Sequence, residues 1–101
     1  MPQVIFAPAA LQDLQRLREF LRQKNPAAAK RAAGTIVAAL KLLASHPQLG
    51  RPVEYIEESG ADCRELPIDF GANGYVALYR LEGEFIIILA VRHQREAGYT
   101  R

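Results

Sequence analysis

The stretch that decides the fold is FIIILAVRHQRE, residues 85–96. Residues 85–91 are apolar at both alternating sets of positions, a pattern that predicts a strand buried on both sides in the middle of a sheet. The strand then runs directly into Arg92-His93-Gln94-Arg95. A central strand would hold these cationic and imidazole groups at a fixed place on the edge of the protein. They are therefore the first candidates for a functional site.

The size and composition of the chain predict one domain, spanning residues 1–101. Half of the residues are hydrophobic, which is enough for a core and excludes a disordered chain. No apolar run reaches the roughly 18 residues of a membrane helix, and the N-terminus lacks the layout of a secretion signal. Cys63 is the only cysteine, which excludes an internal disulfide. These features predict a cytoplasmic protein with no membrane association.

The net charge of +2 conceals an asymmetry between the two halves. Residues 1–52 carry eight basic and two acidic side chains, whereas residues 53–101 carry five basic and nine acidic ones. A basic half suits nucleic acid or an acidic partner. Because the basic residues are spread around the predicted helices and form no stripe, direct sequence-specific DNA binding is not expected. The two histidines have no carboxylate at ligand spacing, so we expect no metal and no cofactor.

Hydrophobic periodicity predicts the order β-α-α-β-β-β, with a further weak strand before the last three. Asn25-Pro26 is a cap and a helix start between two helices, which predicts a helical hairpin. Small side chains over residues 27–34 predict a close approach of the two helices. The predicted elements are strand 3–6, helix 8–24, a helix from Pro26 to about Ser45, a weak strand 53–56, and strands 64–70, 75–81 and 85–92. The fold class is α+β, with an antiparallel sheet covered on one face by the hairpin.

Four sequence words carry a resemblance to a known superfamily. They are Pro47-Gln48-Leu49-Gly50-Arg51-Pro52, Arg64-Glu65-Leu66, residues 74–80 (GYVALYR) and residues 86–96 (IIILAVRHQRE). In this order and spacing they resemble the ParE/RelE superfamily of toxins from bacterial type II toxin–antitoxin systems, and the chain looks closer to ParE. The resemblance covers nearly the whole chain and implies a helical hairpin on an antiparallel sheet. It also implies a role in plasmid stabilisation and a cognate antitoxin, with a heterodimer or heterotetramer as the assembly.

The superfamily divides by mechanism. RelE-like members cut messenger RNA on the ribosome, whereas ParE-like members poison DNA gyrase without hydrolysis. RelE-like nucleases resemble one another in supplying lysines and arginines from the middle strands and a C-terminal Tyr or His. Residues 51–64 of this chain contain four acids and no lysine, and all three lysines fall in the helical half. This pattern favours a gyrase-binding toxin that is not an enzyme, with no catalytic residues.

The alternative is a ribosome-dependent mRNA endoribonuclease. Its acid–base groups and cations would come from Arg64, Arg80, His93, Arg95 and Tyr99, because imidazole titrates near neutrality. Each residue also has a plainer interpretation. His93 would bond the backbone or Glu96 at a strand end, and Tyr99 would cap the open sheet face. Arg80 would pair with a neighbouring carboxylate such as Glu65 or Asp69.

The sequence also predicts a surface for a partner protein. A hairpin covers only one face of a sheet, so the other face of the last strand should be an apolar patch rimmed by arginines. Strand parity places Arg80 with Val76 and Leu78, and Arg92 with Ile88 and Ala90. The predicted partner-binding residues are Arg64, Tyr79, Arg80, Arg92, His93, Arg95 and Tyr99, with the antitoxin and DNA gyrase as partners.

Overall fold

The computed structural model describes residues 2–54, 62–96 and 98–99 of the chain. The helices are α1 (Pro8–Lys24) and α2 (Pro26–Leu42). The strands are β1 (Gln3–Phe6), β2 (Arg51–Pro52), β3 (Asp62–Phe70), β4 (Asn73–Glu82) and β5 (Phe85–His93). The predicted α+β arrangement, with a helical hairpin on one face of a sheet, is confirmed.

The helical hairpin forms because a single residue separates two helices, each of which begins at a proline. Asn25 separates α1 from α2, and its side-chain oxygen accepts a hydrogen bond of 3.1 Å from the Ala28 N–H, so it caps α2 as predicted. The second helix ends at Leu42, before the predicted end near Ser45, because residues 43–45 tighten into a turn. Neither of the two described helices is long and apolar enough to cross a membrane.

The sheet has the strand order β1-β5-β4-β3-β2. Strands β3, β4 and β5 form the predicted antiparallel meander. Strand β1 adds to β5 in parallel, so the sheet is mixed rather than wholly antiparallel. Parallel pairing is possible here because both helices and three strands intervene between β1 and β5, and such a crossover needs a long connection. Strand β5 has a neighbour on each side, as its continuous apolar pattern predicted.

The remaining strand prediction was wrong in position. The pairing strand is Arg51–Pro52, which joins β3 at Glu65 and Arg64, whereas Val53 and Glu54 lie outside any strand. Residues 55 and 56 of the predicted strand 53–56, and residues 59–61 of a predicted turn, lie outside the described residues. Because β2 is so short, Pro67 sits beyond it on β3, where its missing N–H costs no ladder hydrogen bond.

A β-bulge changes which side chains of β5 lie on each face of the sheet. The register with β4 shifts between Leu78 and Tyr79, which pair with Ala90 and Ile88, so Leu89 is the extra residue. Arg92 therefore shares a face with Ala90, as predicted, but Ile88 turns to the opposite face. The prediction that Ile88 shares the Arg92 face was wrong, since simple alternation fails across a bulge.

The core lies between the hairpin and one face of the sheet, here called the helical face. Its largest fully buried side chains include Tyr79, Leu40, Leu43 and Ile88. The opposite face, here called the open face, carries Cys63, Val76, Leu78 and Ala90. The two faces give each strand residue a distinct environment, and that division decides which candidate residues meet.

Candidate functional site

The seven predicted site residues are split between the two faces of the sheet. Cross-strand pairs share a face, so Arg64, which pairs with Tyr79, and His93, which pairs with Tyr75, lie on the side of the helical face. Arg80 and Arg92 lie on the open face, where they pair with Cys63 and Val76. The nuclease set therefore does not form one cluster in this structure.

Tyr79 and Arg64 fix the loop that follows α2. The Tyr79 hydroxyl donates to the Pro47 carbonyl (2.9 Å) and accepts from the Gly50 N–H (2.8 Å), and Tyr79 is fully buried. The Arg64 guanidinium donates to the carbonyls of Gly50 (2.9 Å) and Gln48 (3.3 Å). Burial raises the pKa of Tyr79, so its hydroxyl stays protonated as a donor. These contacts hold the loop that contains Pro47, Gly50 and Arg51 against the sheet. Because Tyr79 is fully buried by them, its side chain has no exposed surface with which to contact a partner.

His93 and Arg95 form a turn at the end of β5. The Glu96 carboxylate accepts from the His93 N–H at 2.8 Å, and His93 Nδ1 accepts from the Arg95 N–H at 3.1 Å. The His93 ring meets Tyr75 edge-on, with 5.6 Å between ring centroids. Arg95 donates through Nε to the Asn73 side chain at 3.2 Å. His93 has the predicted strand-end role, with one ring nitrogen already used within the turn.

Tyr99 covers the open face. Its hydroxyl donates to the Glu65 carboxylate on β3, and the Arg92 guanidinium lies 5.2 Å from the centre of its ring. The Glu65 carboxylate also accepts a hydrogen bond of 3.3 Å from the Arg51 guanidinium. Arg92 donates to the carbonyls of His93, Gln94 and Glu96, which folds the chain after β5 back across the sheet. We call Arg51, Glu65, Arg92 and Tyr99 the open-face cluster.

The electrostatics of the open-face cluster determine what Tyr99 can do. Burial, then the hydrogen bond to Glu65 and its negative charge, raise the pKa of Tyr99 well above its usual value near 10. A useful general acid or base has a pKa near the working pH. Tyr99 is thus a neutral donor that anchors the residues after β5 to the sheet, which matches the predicted capping role. We call the described residues of this segment, 94–96 and 98–99, the tail.

The sequence predicted an exposed apolar patch on the open face, and this prediction was wrong for the centre of that face. Val76, Leu78 and Ala90 are only 5%, 1% and 6% exposed, because side chains of the sheet and the tail lie over them. An apolar patch remains where β5 meets β1, at Ile5 and Phe85, which are 43% and 44% exposed. The capping role predicted for Tyr99 is part of this cover, but the apolar patch was predicted without taking that cover into account.

Arg80 is paired with a carboxylate, though not one that the sequence suggested. It meets Glu82, two residues along the same strand, at 3.0 Å. Glu65 is committed to Tyr99 and Arg51 instead. Cys63, the cross-strand neighbour of Arg80, is 3% exposed, consistent with a small buried hydrophobe.

A second surface, which the sequence did not predict, lies between the two helices. We call it the α1–α2 groove; its volume is about 390 Å³. Leu14 and Leu21 of α1 face Ala29 and Ala33 of α2 across it, and Tyr75 of β4 lies at its floor. The small side chains of α2 were predicted to bring the helices together. Helices α1 and α2 do pack against each other, with Ala28, Ala29 and Ala32 buried. The same small side chains leave unfilled volume opposite the leucines of α1, and this volume is the groove.

Comparisons with known proteins agree with this architecture. The family model described as the ParE toxin of type II toxin–antitoxin system, parDE, matches residues 4–98. Toxin RelE3 of Caulobacter vibrioides is 38% identical over 95% of this chain and 98% of that protein, and Toxin RelE1 of the same organism is 34% identical over 92% and 94%.

Two solved structures share the fold. The toxin–antitoxin complex RelBE2 from Mycobacterium tuberculosis has a chain that is 25% identical, with a TM-score of 0.59 over 93% of this chain and all of that one. A chain of the chromosomal ParDE system from P. aeruginosa has a TM-score of 0.75 at 24% identity, over 92% of this chain and 96% of that one. Fold, family model and relatives lead to one conclusion: the chain is a member of the ParE toxin family of type II toxin–antitoxin systems.

Proposed function

We propose that this toxin acts by binding DNA gyrase in the cytoplasm and does not cleave RNA. The observation that carries the proposal is the separation of the nuclease set. Tyr99 is bonded to Glu65 on the open face, whereas His93 faces Tyr75 on the other side of the sheet. Cleavage through a 2′-OH needs a base, an acid and cations around one phosphate. Groups held on opposite faces of a sheet do not surround one phosphate.

The charge of the open-face cluster supports the same proposal. A phosphate at Tyr99 would meet the Glu65 carboxylate, which is hydrogen-bonded to that tyrosine. Like charges at this distance repel, and the two guanidiniums nearby are already engaged, Arg51 with Glu65 and Arg92 with backbone carbonyls. The cluster thus favours a stabilising role for Tyr99 over a role in phosphate chemistry.

The second candidate function is the ribosome-dependent mRNA endoribonuclease. The names of the relatives favour it, since all three of the Caulobacter vibrioides proteins that match are called RelE toxins. On this alternative, Arg64, Arg80, His93, Arg95 and Tyr99 would have to come together on the ribosome. That requires release of Tyr99 from Glu65 and rotation of His93 away from the helical face.

The deciding experiment compares two targets with one toxin preparation. We expect the purified toxin to trap gyrase on cleaved plasmid DNA, and to leave messenger RNA intact in a translation extract. The His93→Ala variant should still arrest growth, because His93 contacts the turn after β5 and the Tyr75 ring, and both contacts lie within the toxin itself. Cleaved messenger RNA that disappears with His93→Ala or Tyr99→Phe would establish the nuclease and refute the gyrase proposal.

The proposed partner that neutralises the toxin is a cognate antitoxin, in a heterodimer or heterotetramer. The α1–α2 groove is the surface that best suits it. Its walls are apolar, and α1 and α2 together carry seven basic and two acidic side chains. An apolar groove in a basic surround suits an acidic amphipathic segment. The predicted open-face patch is a weaker candidate, since Tyr99 and its neighbours already cover most of it.

A further inference from the structure

Strand β1 forms one outer edge of the sheet. It stands at the end of the described strand order, with β5 as its neighbour on the other side. The N–H groups of Gln3 and Ala7 donate to carbonyls on the β5 side, at 2.8 and 2.9 Å. Backbone groups of successive strand residues point to opposite sides. The N–H and C=O groups of Val4 and Phe6 therefore point away from β5, along the outer edge.

The two edges of the sheet are protected to different degrees. The far edge, formed by β2 and the end of β3, carries Arg51, Pro52, Pro67 and Asp69. Prolines and charges at an edge are common means by which proteins prevent unwanted strand pairing. Strand β1 contains neither a charge nor a proline. Its edge is thus the one that can accept a further strand.

The backbone of β1 is complementary to a copy of itself. The outward groups of Val4 and Phe6 lie symmetrically about Ile5, and the residues two positions further on, Pro2 and Pro8, have no N–H. When two copies meet antiparallel about Ile5, Val4 of each copy faces Phe6 of the other. Each such pair exchanges both of its N–H···O bonds. The row of outward donors is then used completely.

The side chains at this edge favour the same occupant. Ile5 is 43% exposed and lies on the open face, as does Phe85, which is 44% exposed. In the antiparallel arrangement Ile5 would lie directly opposite Ile5 of the second copy, in the close type of cross-strand pair. A neutral, apolar edge suits an equally neutral strand, whereas an acidic segment suits the basic helical hairpin.

The helices leave room for this pairing. Helix α1 packs on β5, where the Asp13 carboxylate accepts from the Val91 N–H at 3.0 Å. In the joined sheet the two copies of β5 would be three strand spacings apart, or roughly 14 Å. Packed helices need about 8–10 Å between their axes. The two copies of α1 therefore fit side by side on one face of the sheet.

We infer that two copies of this chain associate through β1, antiparallel about Ile5, so that their two sheets join into one. The interface is isologous, because each copy contributes the same strand. It buries the edge and the patch at Ile5 and Phe85 and little else, so the dimer is weak and forms only at high concentration. The inference does not depend on the gyrase target or on the surface that the antitoxin occupies.

Disulfide crosslinking tests the register. In Ile5→Cys the two thiols lie at a close cross-strand pair, so mild oxidation should give a disulfide-linked dimer. Gln3→Cys is the matched control, since Gln3 is exposed on the same strand and face, yet its two copies would lie roughly 14 Å apart. Cys63 is only 3% exposed and stays out of the reaction. Equal crosslinking of the two variants, or none in either, would overturn the inference.

Sedimentation of the free toxin over a range of concentrations tests the association itself. Ile5→Lys should raise the dimer Kd about tenfold or more, because two lysines would lie opposite each other and the apolar contact is lost. Leu42→Lys makes the same chemical change at an exposed leucine of α2 and should leave the Kd unchanged. A toxin that stays monomeric at every concentration would overturn the inference. So would a dimer that Leu42→Lys weakens as much as Ile5→Lys does.

Hydrogen exchange on the wild-type toxin tests the edge without any substitution. The Val4 and Phe6 amides should exchange more slowly as the toxin concentration rises, because they become bonded in the dimer. The Ile5 amide should not change, since it already points toward β5. Protection of Val4 and Phe6 that appears only when the antitoxin is added would assign the edge to the antitoxin and overturn the inference.

Discussion

Tyr99 shows how a single contact changes the meaning of a residue. A tyrosine near the C-terminus of a basic tail resembles a nucleolytic acid–base group when only the sequence is considered. In the structure its hydroxyl donates to Glu65, and Arg92 lies over its ring. The pKa of Tyr99 is raised, which removes it further from acid–base work at neutral pH. The residue closes the sheet against water.

We predict that Tyr99→Phe lowers the free energy of unfolding by about 1–3 kcal/mol, since it leaves the buried side of Glu65 without its donor. Growth arrest by the toxin should persist, because Tyr99→Phe removes one hydrogen bond within the open-face cluster and keeps the ring, and the proposed function gives this hydroxyl no catalytic role. Urea unfolding measures the first effect and induced expression the second. A variant that folds as well as the wild type would contradict the anchoring role, whereas stable but non-toxic protein would contradict the function.

Gly50 illustrates a residue fixed by close approach. A Cβ placed there would lie 2.7 Å from the Tyr79 ring and 2.8 Å from the Glu65 carbonyl. We predict that Gly50→Ala destabilises the fold by about 1–3 kcal/mol, the usual effect of overpacking. Gly34 in α2 is the control, because nothing lies within 4 Å of its Cβ position. Gly34→Ala should stabilise by roughly 0.5–1 kcal/mol, the helix-propensity difference. Thermal unfolding of the pair distinguishes steric conflict from a general intolerance of alanine.

At the scale of elements, helix α1 is joined to strand β5, next to its bulge, by a buried carboxylate. The Asp13 carboxylate is 3% exposed and accepts from the Val91 N–H at 3.0 Å, just past the bulge. Arg16 donates to Asp13 at 3.4 Å and to Glu96 at 3.2 Å. Helix α1 is thereby attached to both β5 and the turn that follows it, which holds the tail in place over the sheet.

We predict that Asp13→Ala lowers the free energy of unfolding by about 1.5–3 kcal/mol, the size of a hydrogen bond to a charged group with its donor left buried. Asp13→Asn should lose less, since its amide oxygen still accepts from Val91. Urea denaturation ranks the two variants, and faster hydrogen exchange at the Val91 amide locates the damage. If the alanine and asparagine variants unfold alike, the Val91 contact is not what Asp13 contributes.

The sequence predicted the elements well because their signals are local. Asn25 and Pro26 mark the start of α2 by their own backbone chemistry, and the apolar run 85–91 gives a central strand whatever surrounds it. The candidate site was predicted poorly because its contacts are not local. One bulged residue, Leu89, reversed the face of Ile88, and the pairing of Tyr99 with Glu65 joins residues far apart in the chain. The α1–α2 groove arises from the relative sizes of side chains on two helices, which spacing alone does not reveal.

At the scale of the whole molecule, the surface of the helical hairpin differs from the open face in its charge and in how far its apolar side chains are covered. The helical hairpin presents most of the basic side chains and an apolar groove. The open face is closed by the tail and carries paired charges. The proposed function, neutralisation by an antitoxin and binding to gyrase, needs two separable surfaces, and this division of the molecule is consistent with it.

The buried tyrosines give the whole fold a pH limit. The pKa values of Tyr75, Tyr79 and Tyr99 are all raised above the usual value of about 10, chiefly by burial. A group whose pKa is higher in the folded than in the unfolded state holds its proton more tightly when folded. Its stabilising contribution is complete below pH of about 10 and falls as the pH rises above that value.

We therefore predict that the free energy of unfolding is insensitive to these tyrosines at neutral pH and declines steeply above pH of about 10. Urea unfolding between neutral and strongly alkaline pH measures the slope, and phenolate absorbance shows whether ionisation accompanies unfolding. Tyr99→Phe should reduce the alkaline slope, because one raised tyrosine is removed. Phenolate absorbance that appears in the still-folded protein would mean that the tyrosines ionise without unfolding and would refute this coupling.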